Sequence, residues 1–513
     1  MSLSRLKHIW LLSFFASTFV FGQNELGNPY IKNYSPKDYN SASTIWDIEQ
    51  DQKGLMYFGT SDGVLQYDGL NWSTIAIPNE TTVRSMCIDD QGTIYVGVKN
   101  DFGFLAKDDM GKLRYESLSD QLPEDKKDFS DVWNIYTTDD GVFFLTFKRI
   151  YLYRNGQLET FEFDRIAAHL GFYVNQKMYL LDQRQGIKVF NGKSFELIPG
   201  AEQFINHQIY AILPFDENHI VLGSRKLGLL KLNLQSGLSE PFAPELNAEI
   251  LSANLYHATV AENGDYVLAT LSNGIYVVSR SGELGMHLTQ GNGLQNDNVK
   301  YVFKDKYGGI WAGTAVGISY IDLNLPLTSF SNENGIRGFA RGIIRYKGVL
   351  YVATGNGVFY LDKKEKDQSK KFKSITKEDG QFWTFLEVKN KLFVASSKGF
   401  FELISSDDEN GTKQLKKHYS FGSNAVFDMV HSQRYDNRIY VSTKSGFGIV
   451  FIDELANPTG MKHIENHEIE SDHIKEDAAG NLWLSTAFGY TVRVNHSSLV
   501  EENGFELNLS LIH

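Results

Sequence analysis

The stretch LQNDNVKYVFKDKYGGIWAGTAVGISYID (residues 294–322) contains the pattern from which the fold can be predicted. An Asp/Gly turn opens a short apolar strand, IWAG, and a second Gly-containing turn returns the chain through GISYI. Asp accepts backbone hydrogen bonds in such turns and Gly adopts positive φ, so both residue types are typical of tight hairpins. The stretch therefore predicts adjacent antiparallel strands.

The same type of strand recurs along almost the whole chain. It occurs eleven times: MYFG (56–59), IYVG (94–97), FFLT (143–146), MYLL (178–181), IVLG (220–223), YVLA (266–269), IWAG (310–313), LYVA (350–353), LFVA (392–395), IYVS (439–442) and LWLS (482–485). The spacing is about 43 residues, which is the usual length of one four-stranded propeller blade. The sequence thus predicts an all-β protein of the β-propeller class.

Eleven blades exceed the four to eight that closed propellers usually contain. The segment NPYIKNY (28–34) precedes the first repeat much as LPLTSF (325–330) precedes the eighth, and both Pro-led segments are predicted to be edge strands. An N-terminal strand that completes the last blade of a ring would remove exposed sheet edges. We therefore predict a seven-bladed β-propeller over residues 23–325 and a partial second ring of about four blades over residues 326–513. Such a partial ring would leave two apolar faces uncovered, so the chain is expected to be a truncated piece of a longer protein.

Composition and the N-terminus restrict the possible environments and partners. The 513 residues carry a net charge of -12, which argues against a nucleic-acid partner, because phosphate contacts need a concentrated basic face. Residues 1–22 predict a signal peptide, with Arg5 and Lys7 before an apolar stretch that is too short to span a membrane. The mature chain is then periplasmic or otherwise extracytoplasmic. Its one cysteine, Cys87, permits no internal disulfide and is expected to pack in the core.

Three stretches carry a resemblance to a known family: residues 294–322, IWDIEQDQKGLMYFGTSDGVLQYDG (45–69) and IKEDAAGNLWLSTAFG (474–489). They resemble the "two-component regulator propeller" repeats in periplasmic sensor regions of Bacteroidetes-type hybrid histidine kinases and related transcriptional regulators. The resemblance implies two seven-bladed rings, an Ig-like domain with conserved tyrosines, a membrane helix and a cytoplasmic effector. The later parts are not recognisable in this sequence, so an effector kinase is not expected in it, and membrane attachment would come through parts missing from this chain. An oligosaccharide or other small-molecule ligand and a homodimer are likewise implied.

Two other patterns contain residue types that can bind metal ions or phosphate. His463, Glu465, His467 and His473 contain metal-binding side chains, but they lie between two repeats and lack the helical HExxH order. We predict a solvated inter-blade loop there. The glycines at 308, 309, 313 and 317 lack the strand–loop–helix context of a phosphate-binding loop and are predicted to be turn and packing residues. No metal, no cofactor and no catalytic residue is therefore predicted.

One recurring position provides a candidate ligand site. Just before the first strand of successive repeats, the same offset contains Trp46, Arg84, Trp133, Tyr210, His257 and Lys300, and repeats nine and ten continue it with Trp383 and Phe427. The innermost strands of a propeller line its central channel, so this offset predicts aromatic and cationic groups near one mouth. Two interpretations are open. The residues either pack against the adjacent inner strand or face a sugar or other polar ligand.

The preferred functional hypothesis is a non-enzymatic ligand-sensing region of a two-component regulator. Ligand binding at a propeller mouth or between rings would shift the relative orientation of the domains. One alternative is a secreted propeller enzyme of the lyase or lactonase type, and another is a protein-interaction scaffold without a small ligand. The enzyme would be supported by a central cluster of carboxylate, Asn and His on the inner strands, which the sequence pattern does not show.

Overall fold

The computed structural model describes residues 25, 27–78, 81–163, 166–362, 365, 371–376, 380–405, 413–421, 425–466, 469–487, 489–500 and 509–512. The predicted signal peptide lies outside these ranges. The described chain begins with strand β1 (Tyr30–Tyr34) and the short helix α1 (Pro36–Tyr39). All further strands follow in groups that form four-stranded antiparallel sheets, here called blades.

The first three blades each consist of four consecutive strands. Blade 1 contains β2 (Asp47–Gln50), β3 (Met56–Thr60), β4 (Gly63–Tyr67) and β5 (Trp72–Ile75); blade 2 contains β6 (Ser85–Ile88), β7 (Ile94–Val98), β8 (Asp101–Lys107) and β9 (Leu113–Ser117); blade 3 contains β10 (Asn134–Thr138), β11 (Gly141–Leu145), β12 (Arg149–Arg154) and β13 (Gln157–Glu162). Short 3-10 helices span Ser119–Gln121 and Glu124–Lys126.

The next four blades repeat this order, and α2 (Asn247–Ala253) precedes the sixth. Blade 4 contains β14 (Ile166–Val174), β15 (Lys177–Asp182), β16 (Gly186–Phe190) and β17 (Phe195–Leu197); blade 5 contains β18 (Ile209–Pro214), β19 (His219–Ser224), β20 (Gly228–Asn233) and β21 (Ser239–Pro241); blade 6 contains β22 (Leu255–Val260), β23 (Tyr266–Thr270), β24 (Ile275–Val278) and β25 (Leu284–Leu288); blade 7 contains β26 (Val299–Lys304), β27 (Ile310–Thr314), β28 (Gly317–Asp322) and, as its outer strand, β1. Further 3-10 helices span Ala201–Phe204 and Gln290–Asn292.

Four more blades follow a 3-10 helix at Asn332–Asn334. Blade 8 contains β29 (Ala340–Tyr346), β30 (Val349–Thr354), β31 (Gly357–Leu361) and β32 (Phe372–Ser374); blade 9 contains β33 (Phe382–Val388), β34 (Lys391–Ser396), β35 (Gly399–Ser405) and β36 (Lys413–Tyr419); blade 10 contains β37 (Val426–His431), β38 (Arg438–Thr443), β39 (Gly446–Ile452) and β40 (Pro458–Ile464); blade 11 contains β41 (Ser471–Glu476), β42 (Leu482–Thr486), β43 (Thr491–Val494) and, after α3 (His496–Val500), β44 (Leu509–Ile512).

The repeated apolar segments coincide with the second strand of every blade. All five residues of β3 and all five of β27 are buried. A blade in a propeller has a neighbour on each face, so its second strand is apolar on both sides rather than alternating. The predicted repeat and the all-β class are confirmed.

Strand β1 joins the two ends of the first seven blades. It runs antiparallel to β28, with Tyr30 opposite Asp322 and Tyr34 opposite Ile318. The first strands of blades 1 to 7 contact one another in sequence order, and β26 contacts β2. This pairing is the strand exchange predicted from NPYIKNY, and it gives the outer edge of blade 7 a partner.

The segment 325–330 does not form the second edge strand that the sequence predicts. Its one ladder contact is an isolated bridge between Ser329 and Asn28, the residue that leads into β1. Pro326 has no N–H to donate to a ladder, which disfavours a continuous strand here. The prediction of an edge strand at 325–330 is therefore wrong.

The outward face of blade 8 is also less exposed than the sequence predicts. A small cluster of buried side chains covers it: Ile336, Val352, Phe359, Leu361 and Phe372, with Phe330 packed against them. Phe330 and Ile336 come from the segment that precedes the blade, so this segment replaces a neighbouring blade. The expectation of an uncovered apolar face is wrong for this part of blade 8, although Phe339 and Ile343 remain 90% and 66% exposed.

Among the residues that the structure describes, no helix is long and apolar enough to span a membrane.

Candidate functional site

The structure brings together all six residues of the candidate ligand site. They line one cavity at the start of the inner strands of blades 1 to 7, and we call them the mouth cluster: Trp46, Arg84, Trp133, Tyr210, His257 and Lys300. Five further residues complete the lining: Asn134, Tyr136, Phe172, Tyr256 and Tyr301. In the second group of blades, Trp383 and Phe427 also meet, with ring centroids 4.7 Å apart.

Local breaks in the strand ladders orient several of these side chains. The register shifts after Ile209, Leu255 and Val299, which leaves one extra residue in each of β18, β22 and β26. Such bulges redirect a side chain relative to its strand. The extra residues are Tyr210, Tyr256 and Lys300. The common offset in blade 6 therefore belongs to Tyr256, and its assignment to His257 from the sequence is wrong by one residue.

Stacking of cations on aromatic rings organises one side of the mouth. The guanidinium carbon of Arg84 lies 3.9 Å from the ring centroid of Trp46 and 5.1 Å from that of Trp133. The amine of Lys300 lies 4.0 Å from the Trp46 ring. Arg84 Nε also donates to Asp131 Oδ1 at 3.3 Å. These contacts are favourable electrostatically and limit the motion of long side chains.

Arg225 also lies beside the mouth cluster, and the sequence interpretation did not include it. Its guanidinium carbon lies 3.9 Å from the Tyr210 ring centroid and 5.5 Å from that of Tyr256. Its Nε donates to the carbonyl of Leu255 at 2.9 Å. Arg225 belongs to the turn between β19 and β20, so an analysis restricted to inner strands cannot find it. Its position in a turn at the same end of the blades as the mouth cluster is the one feature that could have indicated it.

Two carboxyl groups on β2 adjoin Tyr301, a lining residue of the mouth. Asp47 accepts hydrogen bonds from the backbone N–H of Ile48 at 2.7 Å and of Met86 at 2.6 Å. The Tyr301 hydroxyl also donates to it. Burial raises the pKa of Asp47 to about 7 against the opposing effect of these hydrogen bonds. Burial, followed by the charge of Asp47, raises the pKa of Glu49 well above its ordinary value.

These carboxyl groups correct a second expectation from the sequence. The Tyr301 ring stacks on His257 at 4.0 Å between centroids, and Asn134 lines the same cavity. A group of carboxylate, Asn and His side chains on inner strands therefore does exist. However, the backbone N–H of Val302 donates to His257 Nδ1 at 3.3 Å, which occupies the basic nitrogen of the neutral ring. In this arrangement His257 is poorly placed to act as a general base.

The volume of the mouth cavity limits what can enter it. It measures about 40 Å³, whereas pockets for small organic ligands are typically ~300–1,000 Å³. One water molecule needs ~10–15 Å³ by a comparable measure. The cavity therefore accepts a few water molecules or one small functional group, and a whole sugar ring does not fit below the mouth.

Two larger clefts lie elsewhere in the first seven blades. One, of about 490 Å³, is bordered by residues of blades 3 and 4, including Phe161, Glu162 and Lys188. The other, of about 470 Å³, is bordered by turns of blades 4 to 6, including Asn175, Phe215 and Arg280. Both are wide open, and neither contains a residue of the mouth cluster.

The histidine-rich segment was predicted as a solvated loop, but it lies partly in strands. His463 is in β40 with Nε2 at 3.2 Å from Thr443 Oγ1, and His473 is in β41 with Nδ1 at 3.5 Å from Asp428 Oδ2. His467 lies outside the described residues. Within the described part of the chain, no group of three or more His, Cys, Asp or Glu side chains is placed to hold a metal ion.

Comparison with known proteins supports the fold. No family model and no curated protein matches the chain. It is similar to the extracellular domain of a candidate hybrid two-component system from B. thetaiotaomicron, with 16% identity, a TM-score of 0.67, and coverage of 94% of this chain and 67% of that domain. The resemblance to two-component sensor regions is thus confirmed in the fold, and the chain spans about two thirds of that domain.

Two further solved structures are similar at lower TM-scores. The extracellular domain of another such system from B. thetaiotaomicron has 17% identity and a TM-score of 0.45, over 94% of this chain and 73% of that one. Virginiamycin B lyase from Staphylococcus aureus has 12% identity and a TM-score of 0.45, over 57% of this chain and 99% of the lyase. Likenesses of this size do not bear on function.

Proposed function

We propose that this chain is the extracytoplasmic, non-catalytic, ligand-sensing propeller region of a two-component signal-transduction regulator. In this proposal residues 1–22 direct export, a seven-bladed ring occupies residues 23–325, and a partial second ring occupies residues 326–513. The observation that carries the proposal is the convergence of the mouth cluster: side chains from six blades meet in one cavity, although they are up to 254 residues apart in sequence.

The geometry favours a polar ligand that lies on the mouth rather than inside it. Because the cavity holds only about 40 Å³, one substituent of the ligand would enter while the body of the ligand contacts the aromatic faces above. Partly buried aromatic rings beside charged groups, such as Trp46 beside Arg84 and Lys300, are suited to oligosaccharides and similar polar molecules. The engaged Nδ1 of His257 supports binding without turnover.

Contacts of the N-terminal segment offer a route from the first seven blades to blade 8. Arg345 of β29 forms a bidentate ion pair with Glu25, with N–O distances of 2.8 and 2.5 Å. The side-chain amides of Asn28 and Asn334 are also within hydrogen-bond distance, at 3.3 to 3.4 Å. A ligand-induced change in the first ring would reach the second group of blades through this segment, and then a homodimeric transmitter outside this chain.

A second candidate function, a propeller enzyme, is favoured by one observation. Tyr301 contacts both His257 and Asp47, which places an acid, a phenol and an imidazole side by side. Such groups can serve acid–base chemistry when a substrate reaches them. The small cavity opposes this function.

The proposal is tested with the mature chain, residues 23–513, and a panel of oligosaccharides. We expect a polar ligand from this panel to bind the unchanged chain and to lose affinity for the Trp46→Ala variant. Trp383→Ala is the matched control, because Trp383 occupies the corresponding offset in blade 9, and it should bind normally. Equal affinity of both variants would contradict a site at the mouth. Conversion of the ligand that is abolished in Asp47→Asn would instead support the enzyme.

A further inference from the structure

The mouth of the first ring carries an excess of positive charge. Arg84, Arg225 and Lys300 all stack on rings of the mouth, at 3.9, 3.9 and 4.0 Å. Within the described ranges, the one carboxylate in an ion pair with any of the three is Asp131, which contacts Arg84 at 3.3 Å. Three cations thus have one ion-paired carboxylate between them.

Several hydrogen-bond donors at this place have no acceptor among the described residues. These are Arg84 Nη1, Arg225 Nη2 and Trp46 Nε1, and all three atoms are buried from solvent. Buried donors almost always have partners, because an unmade hydrogen bond costs the full desolvation of the group. Trp46 and Arg84 line the cavity, and Arg225 stacks on the lining residues Tyr210 and Tyr256. Donors from both sides of the mouth therefore need an acceptor from outside the chain.

The charges around Lys300 point to the same need. Burial, followed by the charge of Arg84, lowers the pKa of Lys300, whereas a neighbouring carboxylate would raise it. The charge of Arg84 thus adds to the cost of keeping Lys300 protonated at this place. An anion between them would relieve this repulsion and satisfy the unpaired N–H groups at once.

We propose that the mouth binds an anionic oxygen group, a carboxylate or a sulfate, with Arg84 and Arg225 as its hydrogen-bond donors and Lys300 as an additional counter-charge. This inference rests on the proposed ligand site and specifies the class of its ligand. Guanidinium groups suit such anions because their N–H groups match two oxygens at once. A single carboxylate or sulfate is also the size of group that a cavity of about 40 Å³ admits.

The same chemistry has two sources, a free inorganic anion or an acidic sugar. They are separated by titrating the mature chain with sodium sulfate, D-glucuronate and D-glucose at constant ionic strength, with tryptophan fluorescence as the readout. We expect D-glucuronate or sulfate to bind at least tenfold more tightly than D-glucose. Tighter binding of D-glucuronate than of sulfate identifies an acidic sugar, whereas the reverse order identifies a free anion.

Variants connect this preference to the two arginines. Arg225→Met and Arg84→Met should each weaken anion binding by about tenfold or more, because each removes a charge-assisted hydrogen bond. Arg438→Met is the matched control, since the guanidinium carbon of Arg438, in β38 of blade 10, forms a similar stack at 4.1 Å from the Tyr435 ring centroid. It should bind within about twofold of the unchanged chain. If a Met variant fails to fold by circular dichroism, Arg225→Lys replaces it, with intermediate affinity expected because the charge remains and the planar fork is lost.

Two outcomes would overturn the inference. One is equal binding of D-glucose and D-glucuronate, and the other is anion binding that neither arginine variant alters. A neutral oligosaccharide that loses affinity in Trp46→Ala but not in Arg225→Met would leave the mouth as the ligand site while removing the anion. If none of these variants lowers the affinity for any ligand, the proposed site itself is refuted.

Discussion

The carboxylate of Asp47 on β2 accepts a hydrogen bond from the backbone N–H of Met86 on β6, at 2.6 Å, and so joins the inner strands of two adjacent blades. The same relationship, a side chain on one inner strand accepting from the backbone of the next, recurs in three other places: Cys87 with Thr137, His257 with Val302, and Asp428 with Ile474. These contacts lie on the channel side, where blades approach most closely. They fix the stagger between neighbouring blades by polar geometry in addition to apolar packing.

The pKa of Asp47 predicts how stability depends on pH. Burial raises this pKa to about 7, so the folded chain binds the proton more tightly than the unfolded chain, whose value is ~4. The resulting stabilisation is fully present below pH ~4 and is lost as pH rises to about 7, by at most ~1.4 kcal/mol per pH unit. The stability of Asp47→Asn relative to the unchanged chain should therefore rise between about pH 4 and pH 7 and level off above it, as measured by urea denaturation; its absolute value also includes the loss of one hydrogen-bond acceptor, because the amide nitrogen cannot accept a backbone N–H.

Glu49→Gln provides the control for this effect. Burial also raises the pKa of Glu49, so this variant should likewise reduce the loss of stability as pH rises above ~4.3, and the double variant should remove both contributions. Parallel stability curves for Asp47→Asn and the unchanged chain would show that Asp47 titrates alike in the folded and unfolded states.

The thiol of Cys87 should be inert in the folded protein. It is buried, as predicted, and burial raises its pKa far above the ordinary value, while Thr137 of blade 3 donates its backbone N–H to the sulfur at 3.1 Å. The thiolate is the reactive form, so labelling requires opening between blades 2 and 3. We expect labelling by a thiol reagent to follow the urea unfolding curve. Rapid labelling in native buffer would contradict the tight contact between these blades.

Trp46 and Trp311 should differ strongly when replaced by Ala. Trp311 is 6% exposed within an aromatic cluster and its Nε1 donates to Asp305, so its loss should cost ~3–5 kcal/mol. Trp46 is only half-buried and stacks on cations, so its loss should cost about 1–2 kcal/mol. Thermal and urea denaturation measure both. Equal losses would indicate that Trp46 is a core residue, the alternative that the sequence left open.

The first seven blades should fold without the rest. A fragment of residues 23–325 should be a monomeric all-β unit by size exclusion and circular dichroism, because β1 supplies the outer strand of blade 7. A fragment of residues 36–325 is the matched comparison: it lacks β1 and leaves the β28 edge open, so it should be less stable and prone to association. Aggregation of the longer fragment, cured only by adding residues 326–513, would refute the division at 325.

Blades 8 to 11 should exchange their amide hydrogens faster than blades 1 to 7. Their inner strands contact each other in the order β29, β33, β37 and β41, and among the described residues the inner strands of the two end blades have no second neighbour of the kind that each of the first seven has. In repeat arrays, protection depends on neighbour interfaces. Exchange of the mature chain should show Val352 of β30 less protected than Phe58 of β3, although both are buried. Equal protection in both groups would mean that residues 326–513 form a complete unit.

The sequence contains enough information for the repeat but not for all of its consequences. The eleven strands were predictable because turn residues and apolar runs recur at a fixed spacing. Each copy of this pattern indicates the same turn, buried strand and second turn. The mouth cluster followed from the same regularity, since one offset per blade leads to one place in a ring. Arg225 was not predictable, because a turn residue reaches the mouth only through the packing of two blades.

Other features depend on interactions that no local pattern encodes. The bulges at Tyr210, Tyr256 and Lys300 insert one residue without altering the composition of the strands, so the offset in blade 6 was misassigned. The volume of the cavity depends on how far Arg84 and the aromatic rings lean inward. The burial of blade 8 by Phe330 and Ile336 depends on where the preceding segment lies, which no strand pattern specifies.

Because β1 pairs with β28, the outer edge of blade 7 is completed by a segment that is far away in sequence. Ser319 and Asn33, hydrogen bonded at 2.7 Å, are 286 residues apart, and closing a loop of that length costs ~5 kcal/mol of chain entropy. Blades 1 to 6 can assemble progressively as the chain emerges, but β1, which is made first, finds its partner only when β28 has been made. Until then both partners remain unpaired strand edges. Any sequence fused directly before Tyr30 would therefore affect the rate of ring closure more than the stability of the closed ring.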